Sequence, residues 1–270
     1  MSGAGNLFVV IDNLGGKLSV SDGRKLAPVL CKKSKNHLSQ EGLMFLEKGD
    51  IEYDFECKFF NPDGSQGMMC GNGGRVIARF AKDADVKLLG DNRTRFKMAG
   101  EIYSAEFRGD NIKLFMPKPN IMPRNIQLEN GNVKYANTGT HHAVIKTIYY
   151  WADDFKEYDV KKNAQSIRNH LKFAPDGVNV NFYMIENGIV HMRTYEKGVE
   201  AETGACGTGA VATALVVHED DGLNFPINII PTSGDELIID IIGEYPNNIE
   251  NIILEGPAVY CGQEEREIKI

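Results

Sequence analysis

Residues 70–78 read C-G-N-G-G-R-V-I-A, and residues 206–214 read C-G-T-G-A-V-A-T-A. The two stretches lie 136 residues apart (206 − 70), about half of a 270-residue chain. The same offset brings Gly3 onto Gly139, Phe8-Val9 onto Val144-Ile145, Phe59 onto Tyr195 and Asn61 onto Lys197. One register held over three separated segments predicts two similarly folded halves.

Apolar patterning gives both halves the same order of elements. In the first, 6–11 reads as a strand and 22–35 as an amphipathic helix capped by Ser21 or Asp22. L-M-F-L-E (43–47) and D-F-E-C-K-F-F (54–60) read as strands, the second with Phe55, Cys57 and Phe59 on one face. Pro62-Asp63-Gly64 is a turn, and a helix follows Cys70 to about Ala84. Short strands run to Met116, and the proline-rich stretch 117–123 is the candidate linker. In the second half, 141–150 reads as a strand and 158–171 as a helix. A hairpin turns at Asn187-Gly188, and a helix spans 207–217. Strands near 227–231, 236–242 and 250–255 end the pattern. The expected fold is α+β, with two pseudo-symmetric domains, each a barrel-like sheet around a central helix. The expected division is 1–117 and 118–261, with 262–270 a candidate last strand of the first domain.

Composition narrows the function. A net charge of −7 without a large basic cluster makes nucleic acid and anionic membrane poor partners. The run Cys31-Lys32-Lys33-Ser34-Lys35 reads as the solvated face of a helix. No apolar run approaches the ~20 residues needed to span a bilayer, and the opening M-S-G-A-G-N-L-F lacks a leader pattern. A soluble cytoplasmic protein is expected. Five cysteines without a C-x-x-C pair argue against a disulfide framework, and the six histidines lack zinc-ligand spacing. Cys31, Cys57 and Cys261 read as small buried apolar groups.

Cys70 and Cys206 read differently, because each opens a glycine-rich helix start. The first N–H groups of a helix have no intrahelical partner and, with the helix dipole, attract an anion. Glycines let a ligand approach the backbone, so a carboxylate could rest on Gly71-Asn72 and on Gly207-Thr208. The same field lowers a thiol pKa from ~8.5 into the range ~3.5–7.5. Two similar halves would place the two thiols across one cleft. One thiolate could then remove an α-proton while the opposite thiol donates to the other face, inverting the centre without a cofactor. A non-catalytic amino-acid binding module or a thiol redox protein are the competing classes.

M-C-G-N-G-G-R (69–75), E-T-G-A-C-G-T-G-A (202–210), G-N-L-F-V-V-I-D (5–12), F-N-P-D-G-S (60–65) and G-V-N-V-N-F (177–182) together resemble the diaminopimelate epimerase family. The resemblance covers nearly the whole chain. It implies conversion of LL- to meso-diaminopimelate for lysine and peptidoglycan precursors, with neither pyridoxal phosphate nor metal. It implies Cys70 and Cys206 as the acid/base pair. Gly71, Asn72, Gly207 and Thr208 would hold the α-carboxylate, and Asn6, Asn61, Asn179, Glu196 and Lys197 would face the substrate. His142 and Glu196 would tune thiol protonation. The partner implied is a small amino acid, with a homodimer as the candidate assembly.

The chain departs from the family at three places. It has Gly139-Thr140-His141-His142 where the family has Gly-Asn/Ser-Pro-His, and Glu196-Lys197-Gly198 where it has Glu-Arg-Gly. It reads His37-Leu38-Ser39-Gln40-Glu41 in place of Gly-x-Gly-x-Asp. Lysine offers a carboxylate a point charge, where arginine offers a two-bond fork. A lanthionine-like, proline or hydroxyproline substrate, or another amino acid, is therefore the alternative to diaminopimelate. A phenazine-type isomerase of similar fold is disfavoured by the presence of both cysteines.

Overall fold

The structure is a computed structural model; it describes residues 1–32, 40–88, 90, 92–129 and 131–262. The chain divides into two compact units, Met1–Phe115 with Gly256–Ile270, and Met116–Glu255.

The first unit runs β1 (Ser2–Gly3), β2 (Asn6–Asp12), α1 (Val20–Leu30), β3 (Gly42–Lys48), β4 (Phe55–Phe60), α2 (Gly71–Asp83), β5 (Arg93–Met98), β6 (Glu101–Arg108) and β7 (Asn111–Met116). Strands neighbour one another in chain order. The β2–β3 and β4–β5 pairs are parallel and the others antiparallel. Parallel neighbours need a crossover, and α1 and α2 supply the two. They cover opposite faces of the sheet. Leu26 and Ala27 of α1 pack on Leu43, Phe45 and Phe60, while Gly73 of α2 lies against Met44 and Phe8. Covering both faces explains why β3 is an unbroken apolar run rather than an alternating one. The thiol of Cys57 inside this unit is pushed well above the usual range by burial, and that of Cys31 to about 11. Both behave as apolar packing groups. Cys261 does not: it is exposed, contrary to its reading as buried.

The second unit runs β8 (Ile121–Leu128), β9 (Gly131–Asn137), β10 (His141–Lys146), α3 (Ala152–Phe155), α4 (Val160–Arg168), β11 (Asn179–Glu186), β12 (Ile189–Glu196), β13 (Ala201–Thr203), α5 (Gly207–Asp221), β14 (Ile227–Pro231), β15 (Leu237–Glu244) and β16 (Asn248–Pro257). Its pairings repeat the first unit. The β10–β11 and β12–β14 pairs are parallel, and β11–β12, β14–β15 and β15–β16 are antiparallel. The outer helix α4 packs Val160 and Ala164 on Val180 and Phe182. Every residue of α5 from Gly207 to Val217 is buried. Such a helix, apolar all round, belongs in the centre of a domain. Its run of Gly, Ala, Thr and Val keeps it thin enough for strands to approach on several sides. Both units are thus α+β, with a sheet curved around one central helix.

Several boundaries move. The α1 helix begins at Val20, not 22, because Ser19 is its N-cap: Ser19 and Asp22 form a reciprocal capping box. It ends at Leu30, with Cys31 as C-cap; the helix face read over 31–35 falls for the most part on residues 33–39, which lie outside the described residues. The candidate linker 117–123 already contains the start of β8, whose pairing with β9 slips between Ile121 and Arg124, around Pro123. The strand expected over 141–150 stops at Lys146, and the helix expected over 158–171 is Val160–Arg168 with Asp159 as N-cap. The chain returns to the first unit at Gly256, not at 262. There Val259 exchanges two backbone hydrogen bonds with Ser2, at 2.7 and 2.9 Å. Residues 263–270, named above as a candidate strand, lie outside the described residues.

Candidate active site

Cys70 and Cys206 are the N-cap residues of α2 and α5. Their backbones match: φ/ψ of −120°/120° and −125°/108°. Each carbonyl accepts the first intrahelical bond, from Gly74 at 2.7 Å and from Ala210 at 2.8 Å. The thiols therefore leave their helices from equivalent positions, beside the first-turn N–H groups. That field favours a thiolate and an adjacent carboxylate. Cys70 is half-buried and Cys206 buried.

In the first unit the buried Arg75 donates through Nη2 to Asn72 Oδ1 at 2.8 Å. Asn72 is itself fully buried in the first turn of α2. Asn6 is buried at the start of β2, in register with Gly3. Asn61 closes the turn after β4. Its Nδ2 donates to Ser65 Oγ at 2.9 Å, and its backbone N–H to the Ser65 carbonyl at 2.9 Å.

In the second unit the polar groups form one network. His142 Nε2 lies 2.8 Å from Thr140 Oγ1 and 3.0 Å from Thr208 Oγ1, and the two hydroxyls are 3.1 Å apart. Thr208 Oγ1 is 3.5 Å from Cys206 Sγ. Asn179 bridges two of the departures from the family pattern: its Nδ2 donates to Thr140 Oγ1 at 3.2 Å, and its Oδ1 accepts from the Lys197 backbone at 2.7 Å. The Lys197 side chain is exposed. Glu196 accepts from Thr203 Oγ1 at 2.8 Å. His141, adjacent to His142 on the strand, points the other way and contacts Tyr135 Oη at 2.5 Å. Thr140, His142, Asn179 and Thr208 thus form one network beside Cys206, tied to the Lys197 backbone, while Asn61 bonds to Ser65 within its own turn and Glu196 to Thr203. Thr203, Arg75 and Asn181 bond to expected site residues without having been singled out in the sequence.

Burial drives the His142 pKa down to about 3, with His141 adding a smaller push in the same direction. His142 is therefore neutral at physiological pH, and it can influence Cys206 through hydrogen bonding but not as a cation. Stability should record this. An unfolded histidine titrates near ~6.5. Between that value and about 3 the unfolded chain holds a proton that the folded chain lacks. Folding stability is complete above the upper limit and falls on acidification through the window, by about 1.4 kcal/mol per pH unit. Urea titrations should show the wild type losing about 2 kcal/mol more than His142→Gln between pH 7 and pH 5. Equal losses would place the His142 proton elsewhere.

Among the described residues, no group of three or more His, Cys, Asp or Glu side chains could hold a metal ion. Among them also, no helix is long and apolar enough to cross a membrane.

Two topologically repeated α+β units, each with a cysteine-capped central helix, define the fold. Solved structures agree on that fold. A hydroxyproline epimerase from Agrobacterium vitis superposes with a TM-score of 0.67 at 16% identity, covering 95% of this chain and 86% of its own. A phenazine biosynthesis protein of the PhzF family from Bacillus anthracis gives 0.73 at 13% identity, covering 99% and 95%. The sequence is more particular. The model of the family described as diaminopimelate epimerase matches residues 1–122 and 134–260, and the chain belongs to that family. The diaminopimelate epimerase of Chlorobaculum tepidum is 34% identical over 267 residues, 97% of this chain and 98% of its own. That of Aquifex aeolicus is 33% identical, covering 99% and 97%. The chain is an isomerase, an amino-acid epimerase of the diaminopimelate epimerase kind.

Proposed function

We propose that this enzyme converts LL-diaminopimelate to meso-diaminopimelate by a two-thiol mechanism without pyridoxal phosphate or metal. The observation that carries the mechanism is the matched pair of N-cap cysteines: one residue type, one backbone conformation and one place in two repeated units. The names of the relatives support the substrate.

The reaction needs both thiols to reach one α-carbon, one on each face. A thiolate takes the α-proton and becomes a thiol. The electron pair left on carbon delocalises into the α-carboxylate, whose growing charge is met by N–H groups of Gly71, Asn72, Gly207 and Thr208. The opposite thiol returns a proton to the other face and becomes the thiolate. Asn6, Asn61, Asn179, Glu196 and Lys197 would hold the rest of the substrate. Lys197 would offer the distal carboxylate a single charged contact.

The test is a screen of LL-diaminopimelate, lanthionine, proline and hydroxyproline, read by chiral chromatography. The expected result is efficient formation of meso-diaminopimelate and none with the cyclic amino acids. Faster turnover of lanthionine would move the distal specificity, as the changes at Thr140, His141 and Lys197 allow. Inversion of proline alone would overturn the substrate assignment.

A further inference from the structure

Asn181 is fully buried in the middle of β11 and plays no part in the reaction as outlined. Its Nδ2 lies 3.0 Å from His142 Nδ1 and 3.4 Å from the Ala143 carbonyl, and its Oδ1 accepts from Thr194 Oγ1 at 2.9 Å. The carbonyl of Ala143 can only accept, so the NH2 end of the amide must face it. The same NH2 end then faces His142 Nδ1, which must accept as well. A neutral imidazole has one proton, and it is therefore on Nε2.

The consequence runs to the sulfur. With Nε2 protonated, the ring donates toward Thr140 Oγ1 and Thr208 Oγ1 and presents them no lone pair. Thr140 also receives Asn179 Nδ2, leaving its own proton for Thr208. Thr208 is thus supplied with donors, and its hydroxyl proton is left for Cys206 Sγ. A hydrogen bond to the charged form of a group stabilises that form.

We propose that Asn181 is a positioning residue for catalysis: it holds His142 in the Nε2–H tautomer, so that Thr208 donates to Cys206 and favours its thiolate. This rests on the two-thiol reading of the site. Asn181 touches no reacting atom. Its equivalent in the first unit is Met44, since Gly73 and Gly209 abut Met44 and Asn181 respectively. The device belongs to one thiol alone, which makes the two cysteines unequal at rest.

Two measurements test the proposal without a turnover assay. In protein labelled with 15N-histidine, long-range proton–nitrogen correlation at pH 7 should show His142 protonated at Nε2. Asn181→Asp, which keeps the shape but offers an acceptor to Nδ1, should move the proton to Nδ1. Separately, iodoacetamide alkylation of Cys206 can be followed against pH by mass spectrometry of its peptide, apart from the other cysteines. Its inflection should rise by about one pH unit in Asn181→Leu and in Asn181→Asp, while that of Cys70 stays in place. An Nδ1–H ring in the wild type would overturn the proposal. So would an unmoved Cys206 inflection in the Asp variant, even if the Leu variant failed to fold. If no amino acid were epimerised, both readouts would still report, so failure of the reaction and failure of the Asn181 role are separable.

Discussion

On the two-thiol mechanism proposed above, Cys70→Ala and Cys206→Ala should each lower the epimerisation rate by about 10³–10⁴-fold, because each would remove one of the two proton-transfer groups. The loss of inversion is only half of the expected result. A variant that retains one thiol can still remove the α-proton from one face and return a solvent proton to the same face. In deuterated water, then, Cys70→Ala should wash deuterium into one epimer with retention, and Cys206→Ala into the other. Nuclear magnetic resonance of the recovered amino acid reads both the label and the configuration. Two thiols acting on opposite faces would give this mirror-image outcome, and a single base with solvent as the acid would not. If both variants labelled the same epimer, or if either kept inverting, the two-thiol mechanism would be wrong. The unequal settings of the thiols add a detail. Cys206, buried and linked through Thr208 to His142, should be the more affected by changes in the second unit.

The repeat was readable because it rests on backbone chemistry. A glycine-rich helix start after an N-cap leaves a spaced pattern that survives when side chains diverge, and the offset of 136 carried both helices and the strands before them. Element ends were less legible, since they depend on single hydrogen bonds. Ser19 rather than Ser21 caps α1 because only Ser19 has an acidic residue three positions on, at Asp22, a capping-box signal that lay in the sequence. The β8–β9 hairpin was missed because Pro117, Pro119 and Pro123 read as breakers, whereas the strand absorbs Pro123 as a register slip. Asn181 had a signal too. Val178 to Met184 is buried throughout, and a polar residue inside such a strand needs a partner. Which partner it finds, and hence what it does, is set by β10 alongside it, 39 residues away in sequence. His142 shows the same limit: the motif pointed to it, but its neutrality comes from burial.

Gly209→Ala should cost more activity than its counterpart Gly73→Ala by at least about tenfold, and the difference isolates the polar network from the helix. Alanine in place of glycine inside a helix ordinarily adds up to about 1 kcal/mol of stability. At both positions that gain meets a steric obstacle. A Cβ on Gly73 would come within 2.5 Å of Met44 Cε, the mobile end of a flexible thioether that can turn aside. A Cβ on Gly209 would come within 2.5 Å of Asn181 Oδ1 and 3.3 Å of both Asn181 Cγ and Cys206 Cβ. The amide has nowhere to go, being fully buried and tied to His142, Ala143 and Thr194. Its displacement would release the His142 ring and, through Thr208, the contact to the Cys206 sulfur. Gly209→Ala is therefore expected to lose about 1–3 kcal/mol of stability in urea unfolding and about 100-fold in turnover, with Gly73→Ala losing less than tenfold. Adding Asn181→Ala to Gly209→Ala should relieve the overlap and restore stability while leaving turnover low. Recovery of activity in that double variant would mean that the Asn181 amide only fills space.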